Sequence, residues 1–216
     1  MPPSAEPVPA VALLDVSEAL LEQLLELALR DADADEVTPP LGTTPGWNTD
    51  RISWFREFHR ASAAGLDGPA GQKSWTISCD GQMAGSVRLR RTDTEPPGPV
   101  VGGAGAGGRV GARADSAGGA GSAGGAAGGA AGGALGGALE TGIWLARSFR
   151  GRGVGREALR LVKDRAASAG APVLVAETTA GNVGALALLK FAGAELVTGA
   201  ASETDTVPVK GKIPLH

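Results

Sequence analysis

The chain has 216 residues, enough for one domain of ordinary size or one domain with an appendage. Its formal net charge of -3 excludes an overall basic surface for nucleic acid or anionic lipid, and no apolar run is long enough to span a bilayer. Cys79 is the only cysteine, so no intrachain disulfide can form; together with an N-terminus that lacks the basic and apolar regions of a signal peptide, this points to a cytoplasmic protein.

Residues 1–8 are proline-rich and expected to be disordered. Ala10 to Leu14 reads as a short apolar strand. Asp15 or Ser17 can cap the helix that follows, Ala19 to Arg30, whose leucines at 20, 21, 24, 25, 27 and 29 form one broad face. An acidic cluster (Asp31, Asp33, Asp35, Glu36) ends it, and Pro39 and Pro40 prevent its continuation. Thr49 or Asp50 is expected to cap a second helix to about Ala64, with Ile52, Phe55 and Phe58 on one face and Trp54 beside them. Lys73 to Arg91 predicts a hairpin: Trp75, Ile77 and Cys79 alternate, Asp80-Gly81 turns, and Val87 and Leu89 alternate on the return.

Residues 93–138 break the pattern. Many of the 35 glycines of the chain gather here, and the segment ends in Gly-Gly-Ala-Ala twice and Gly-Gly-Ala-Leu twice. Such a stretch has almost nothing to bury and reads as a flexible insertion within one domain over 9–216. Beyond it the pattern predicts a strand at 140–146, a helix from Arg156 to Ser168 ended by Gly170, a strand at 173–178, a helix at 183–192, and closing strands at 195–198 and 207–215.

The segment that carries chemistry is Arg150-Gly151-Arg152-Gly153-Val154-Gly155, between a strand and a helix. The first N–H groups of a helix have no partner inside it, glycines let backbone approach a ligand closely, and the helix dipole favours negative charge. Arg150, Arg152 and Arg156 add positive charge, so the expected ligand is a pyrophosphate. A dinucleotide fingerprint fails because its third glycine position is Arg156; a Walker loop and a kinase motif set are absent. Taken alone, the segment also reads as a surface turn that starts a helix.

Arg150-x-x-Gly-x-Gly155 resembles the R/Q-x-x-G-x-G/A signature of the GNAT acyltransferase family, and Asn182-x-x-Ala185-x-x-Leu188 followed by Gly193 resembles that family's later N-x-x-A element. The resemblance implies an α/β fold with a mostly antiparallel sheet flanked by helices, the insertion falling between strands three and four. It implies acetyl-CoA as cosubstrate and no metal, with the pyrophosphate held by residues 150–155, the pantetheine arm paired with backbone near Leu145 and Ala146, and Asn182 beside that arm. Glu140 on strand four is the expected general base, with Glu177 as second choice. The family's general-acid tyrosine is replaced by Leu189, and the chain has no tyrosine at all, so the acid role is unassigned.

The expected acceptor is a primary amine of a small molecule, with Asp35, Glu36, Trp47 and Trp54 as binding residues and Glu203 and Asp205 on a second border. Carboxylates and aromatic rings suit an aminoglycoside, and Pro45-Gly-Trp47 with Phe58-His59-Arg60 loosely resembles aminoglycoside acetyltransferases of the kasugamycin type. A protein N-terminus, a polyamine, an amino acid and a non-catalytic acetyl-CoA-binding module stay open, as does a homodimer. His59 and Cys79 read as structural residues.

Overall fold

The computed structural model describes residues 9–41, 45–92, 137–200 and 207–215. The order of elements matches the alternation of apolar residues: β1 (Val11–Asp15), α1 (Glu18–Asp31), α2 (Ala34–Val37), α3 (Thr49–Ala61), β2 (Gln72–Cys79), β3 (Gln82–Arg91), β4 (Leu139–Leu145), α4 (Val154–Ser168), β5 (Val173–Thr179), α5 (Val183–Phe191), β6 (Glu195–Thr198) and β7 (Pro208–Pro214). The strands form one sheet in the order β1-β2-β3-β4-β5-β7-β6 among the described residues. Every neighbouring pair is antiparallel except β4–β5. This is the expected mixed α/β architecture. None of the described helices is long and apolar enough to cross a membrane.

Helix α1 buries Leu21, Leu24, Leu25, Leu27 and Ala28, the face its leucine spacing specifies, while Leu29 falls outside it and is exposed. Ser17, not Asp15, is its cap and accepts from the Leu20 N–H; Asp15 stays in β1 and pairs with Lys73. The acidic cluster does more than end α1, because Ala34–Val37 forms a further helical turn capped off by Pro39 and Pro40. In α3 the cap is Asn48 rather than Thr49 or Asp50, and the helix stops at Ala61 before a 3-10 turn at Ser62–Ala64.

The buried face of α3 also differs from the expected one. Arg51, Phe55 and His59, spaced by four, point inward, and Ile52 and Phe58 lie at its margin. Arg51 tolerates burial because Asp35 of α2 sits 2.7 Å from its Nη1. Two bidentate pairs fix α3 to α1: Arg56 with Glu22 at 2.7 and 2.6 Å, and Arg60 with Glu18 at 2.9 and 2.7 Å. The hydrogen bonds from Arg56 hold the Glu22 carboxyl below its usual range.

The hairpin of β2 and β3 turns at Asp80-Gly81, with both residues at positive φ, as two-residue turns that match strand twist require. Trp75, Ile77 and Cys79 are buried as expected, but so are Ser74 and Thr76 on the opposite face, because helices cover both sides of the sheet. Phe55, Phe58 and His59 of α3 approach one face of β2, β3 and β4; Leu159 of α4 and Leu188 of α5 approach the other. The face under α3 is polar for a buried surface: Gln72, Ser74, Thr76 and Arg88 all lie on it.

Candidate active site

The strand-to-helix connection after β4 has the form the sequence predicts. A 3-10 turn (Arg147–Phe149) leads into Gly151 (φ 75°) and Gly153 (φ 83°), and Gly153 occupies the cap of α4 in the left-handed region without a capping side chain. The backbone N–H groups from Gly151 to Gly155 have no acceptor among the described residues. Val154 is buried under the turn and anchors it. Arg150 donates from Nε to the Leu145 carbonyl at 2.8 Å and faces Glu36 at 3.4 Å. Arg152 lies over Phe149 and Arg156 over Phe191, at 5.4 and 4.6 Å from the ring centroids. The result is a rim of free N–H donors with three guanidinium groups around it, which fits a pyrophosphate.

Next to the turn the sheet opens. β4 and β5 pair only at Leu139–Leu174, Glu140–Val175 and Thr141–Ala176. Beyond Thr141 they separate around a cleft of about 420 Å³ floored by Leu159, Ala185, Leu188 and Leu189. The Ala146 N–H donates to the Ala84 carbonyl, so alternation along the ladder turns the peptide groups of Ile143 and Leu145 toward the gap. The N–H groups of Ile143 and Leu145 therefore face the gap, whereas Ala146 spends its N–H inside the sheet. Asn182 is the cap of α5, its Oδ1 accepting from the Ala185 N–H at 3.0 Å, so the N-x-x-A spacing has a local structural cause. Glu177 lines the same cleft and pairs with Lys210 at 3.1 Å. Thr178 also lines it, buried, with a hydroxyl that has no partner among the described residues. Leu189, at the tyrosine position, packs in the floor.

A second cleft, of about 410 Å³, lies on the face under α3. Glu36, Val37, Phe55, Phe58 and His59 form its outer wall, and Ser74, Ser86, Arg88 and Trp144 its floor. Gly142 and Ile143 line both clefts, so the two flank the same stretch of β4 where it leaves β5. Four buried polar atoms here have no partner among the described residues: His59 Nδ1, Ser74 Oγ, Arg88 Nε and Trp144 Nε1. Burial, aided by the charge of Arg88, pushes the His59 imidazole down to about 4, so it is neutral at pH 7. Burial also lowers Arg88, against the pull of Glu140.

The predicted acceptor residues divide. Glu36 lines this cleft, and Asp35 is committed to Arg51. Trp47 donates to the Ala32 carbonyl at 3.1 Å and packs edge-on against Phe55, and Trp54 stacks on Phe58 at 4.8 Å; neither indole lines the cleft. Glu203 and Asp205 lie outside the described residues. Glu140 is held by both oxygens, by Arg88 at 2.8 Å and Arg90 at 2.5 Å, and lines neither cleft. His59 is structural in its packing and also lines the cleft, its buried Nδ1 unpaired among the described residues, and Cys79 is a buried thiol raised by that burial. Ser74, Arg88, Trp144 and Thr178 were not expected at a site. The available signal was the polar alternation Ser74-x-Thr76 and Ser86-x-Arg88 in strands otherwise bound for the core.

The profile of the acetyltransferase (GNAT) family matches residues 41–194. The chain belongs to the GNAT acetyltransferase family, with acetyl-CoA as its acyl donor. No curated protein matches it by sequence. Among solved structures it is similar to RimL, a ribosomal L7/L12 alpha-N-protein acetyltransferase in complex with coenzyme A, with TM-score 0.60, 15% identity and 97% of each chain covered. It is also similar to the Salmonella typhimurium acetyl transferase that modifies the N-terminal serine of L7/L12 (TM-score 0.59, 14% identity, 95% of each chain). A third is FdhC, a nucleotide-linked sugar GNAT (TM-score 0.55, 14% identity, 94% of this chain and 86% of that one). At these identities the likeness is one of fold.

Proposed function

We propose that this protein moves the acetyl group of acetyl-CoA to a primary amine of a small molecule, in the cytoplasm. The observation that carries this reading is that two clefts on opposite faces of the sheet share one wall, Gly142 and Ile143 of β4. The free N–H groups of 151–155 would hold the pyrophosphate, and the peptide groups of Ile143 and Leu145 the pantetheine arm. The acceptor would come through the cleft under α3. Its nitrogen lone pair attacks the thioester carbon, a C–N bond forms, the C–S bond breaks with its electron pair on sulfur, and the proton shed by nitrogen ends on the free thiol or in solvent.

The neutral His59 ring lines the acceptor cleft and would orient the amine by accepting one N–H. Glu140, with both oxygens engaged, fits a positioning role that fixes Arg88; Glu177 remains the carboxylate able to take a proton through water. Thr178 offers a hydroxyl to the leaving sulfur in place of the missing tyrosine.

Two acceptor readings have support. An aminoglycoside is favoured by Glu36 on the cleft. An amine beside a carbonyl group is favoured by the unpaired donors of the cleft floor. Release of free thiol from acetyl-CoA across a panel of amines, with coenzyme A binding measured separately by calorimetry, tests the reading. Failure to bind coenzyme A would overturn it.

A further inference from the structure

The floor of the acceptor cleft holds more hydrogen-bond donors than the protein uses. Trp144 Nε1, Ser74 Oγ and Arg88 Nε are buried and unpaired among the described residues, and all three side chains line one cleft. The sheet register explains their convergence. Ser74 lies opposite Arg88, Arg88 opposite Gly142, and Trp144 follows Gly142 by two positions on the same face of β4. Gly142 has no side chain to separate them. Buried donors without acceptors are rare because each forfeits its hydration, so three on side chains that line one cleft mark a place a ligand completes.

Charge points the same way. Glu140 is shared by two guanidinium groups, Arg88 and Arg90, which leaves one excess positive charge in a half-buried cluster beside the cleft. Glu36, the acidic residue lining the cleft, faces Arg150 and is balanced from outside. An indole N–H and a guanidinium N–H can only donate. What they call for is an acceptor oxygen, a role a carbonyl or carboxylate fills without a hydrogen that needs a partner in turn, and an electropositive floor disfavours a polycation.

We propose that the cleft selects acceptors whose amine stands on the carbon next to a carbonyl or carboxylate, an α-amino carbonyl compound. Trp144, Ser74 and Arg88 receive the oxygen, while the nitrogen faces Gly142 and His59. This rests on the acetyl-transfer reading and takes the second acceptor class to named atoms. Free amino acids and the N-terminal residue of a peptide share this chemistry.

The test uses the full-length protein, acetyl-CoA and amines of one carbon skeleton: L-alaninamide, L-alanine, 2-amino-1-propanol and isopropylamine, with kasugamycin as the amino-sugar arm. Trp144→Phe and Ser74→Ala each remove one donor, and coenzyme A affinity by calorimetry confirms that each variant is folded. Ser74→Ala deletes an unpaired buried hydroxyl and should fold even if Trp144→Phe does not. The expected result is that either variant lowers kcat/KM for alaninamide or alanine about tenfold and leaves isopropylamine nearly unchanged. Comparing each variant with wild type on the same amine cancels intrinsic nucleophilicity. Preference for alanine over alaninamide assigns the free amino acid, and the reverse assigns the peptide terminus. An equal loss on all amines, or faster turnover of kasugamycin than of any alanine derivative, overturns the proposal. Coenzyme A binding with no turnover of alanine or alaninamide overturns it alone, whereas no coenzyme A binding overturns the reading beneath it.

Discussion

His59 shows how one side chain carries both packing and chemistry. Its ring sits 4.6 Å from Phe55 and 5.2 Å from Phe58, and burial with the nearby Arg88 charge pushes its pKa from 6.5 to about 4. The unfolded chain protonates this residue near 6.5 and the folded chain only near 4, so the folded state is favoured fully above 6.5 and progressively less as pH falls toward 4. Between pH 7 and pH 5 the loss from this group should be about 2 kcal/mol. Urea unfolding at the two pH values measures it, and His59→Gln should lose less stability over that interval than wild type by about this amount. A His59→Gln protein with the same pH slope as wild type would show that the imidazole is not held neutral. Thr178 permits a second residue-scale test. Thr178→Val keeps the shape and removes the hydroxyl, so kcat should fall about tenfold with coenzyme A affinity unchanged. An unaltered kcat would remove Thr178 from the chemistry.

At the scale of elements, the turn from β4 into α4 was legible because its causes are local: glycines where φ must be positive, then a helix start. The face α3 turns inward was not legible. Ile52, Phe55 and Phe58 make the more apolar stripe, but the Asp35 partner of Arg51 and the aromatic cover of His59 favour the stripe four residues apart. The donor row at Ser74, Arg88 and Trp144 was hidden for a similar reason, since it exists only through the register of three strands distant in sequence. The legible turn supports a charge-specific prediction. Gly153 lies at φ 83° with open space where a Cβ would point, so a substitution meets backbone strain and no clash. Asn tolerates the left-handed region better than most residues and Asp shares its shape, at a cost of about 1 kcal/mol of stability for each. Gly153→Asp should weaken coenzyme A binding at least about tenfold relative to Gly153→Asn, because a carboxylate would face the pyrophosphate. Equal affinities by calorimetry would place the pyrophosphate elsewhere.

For the whole molecule, the strand order and the parting of β4 from β5 could be expected only through family resemblance, because no local pattern states which strands become neighbours. The glycine- and alanine-rich segment poses the opposite case, a strong composition signal with an architectural consequence. β3 and β4 pair up to Arg91–Leu139, and Thr92 donates from both N and Oγ1 to the Ala138 carbonyl, at 3.4 and 2.8 Å. The chain therefore leaves the sheet and returns to it at one point, where a hairpin connection of a few residues would serve. Replacing residues 93–137 with a four-residue Asn-Gly turn should leave coenzyme A affinity and amine turnover unchanged. If the segment acts as a linker, as its composition reads, shortening it should also stabilise the fold by about 2 kcal/mol through the reduced entropy of loop closure. Denaturant unfolding and calorimetry on the shortened protein measure both. Loss of coenzyme binding with the fold intact would show that the segment contributes to the site and is not a linker.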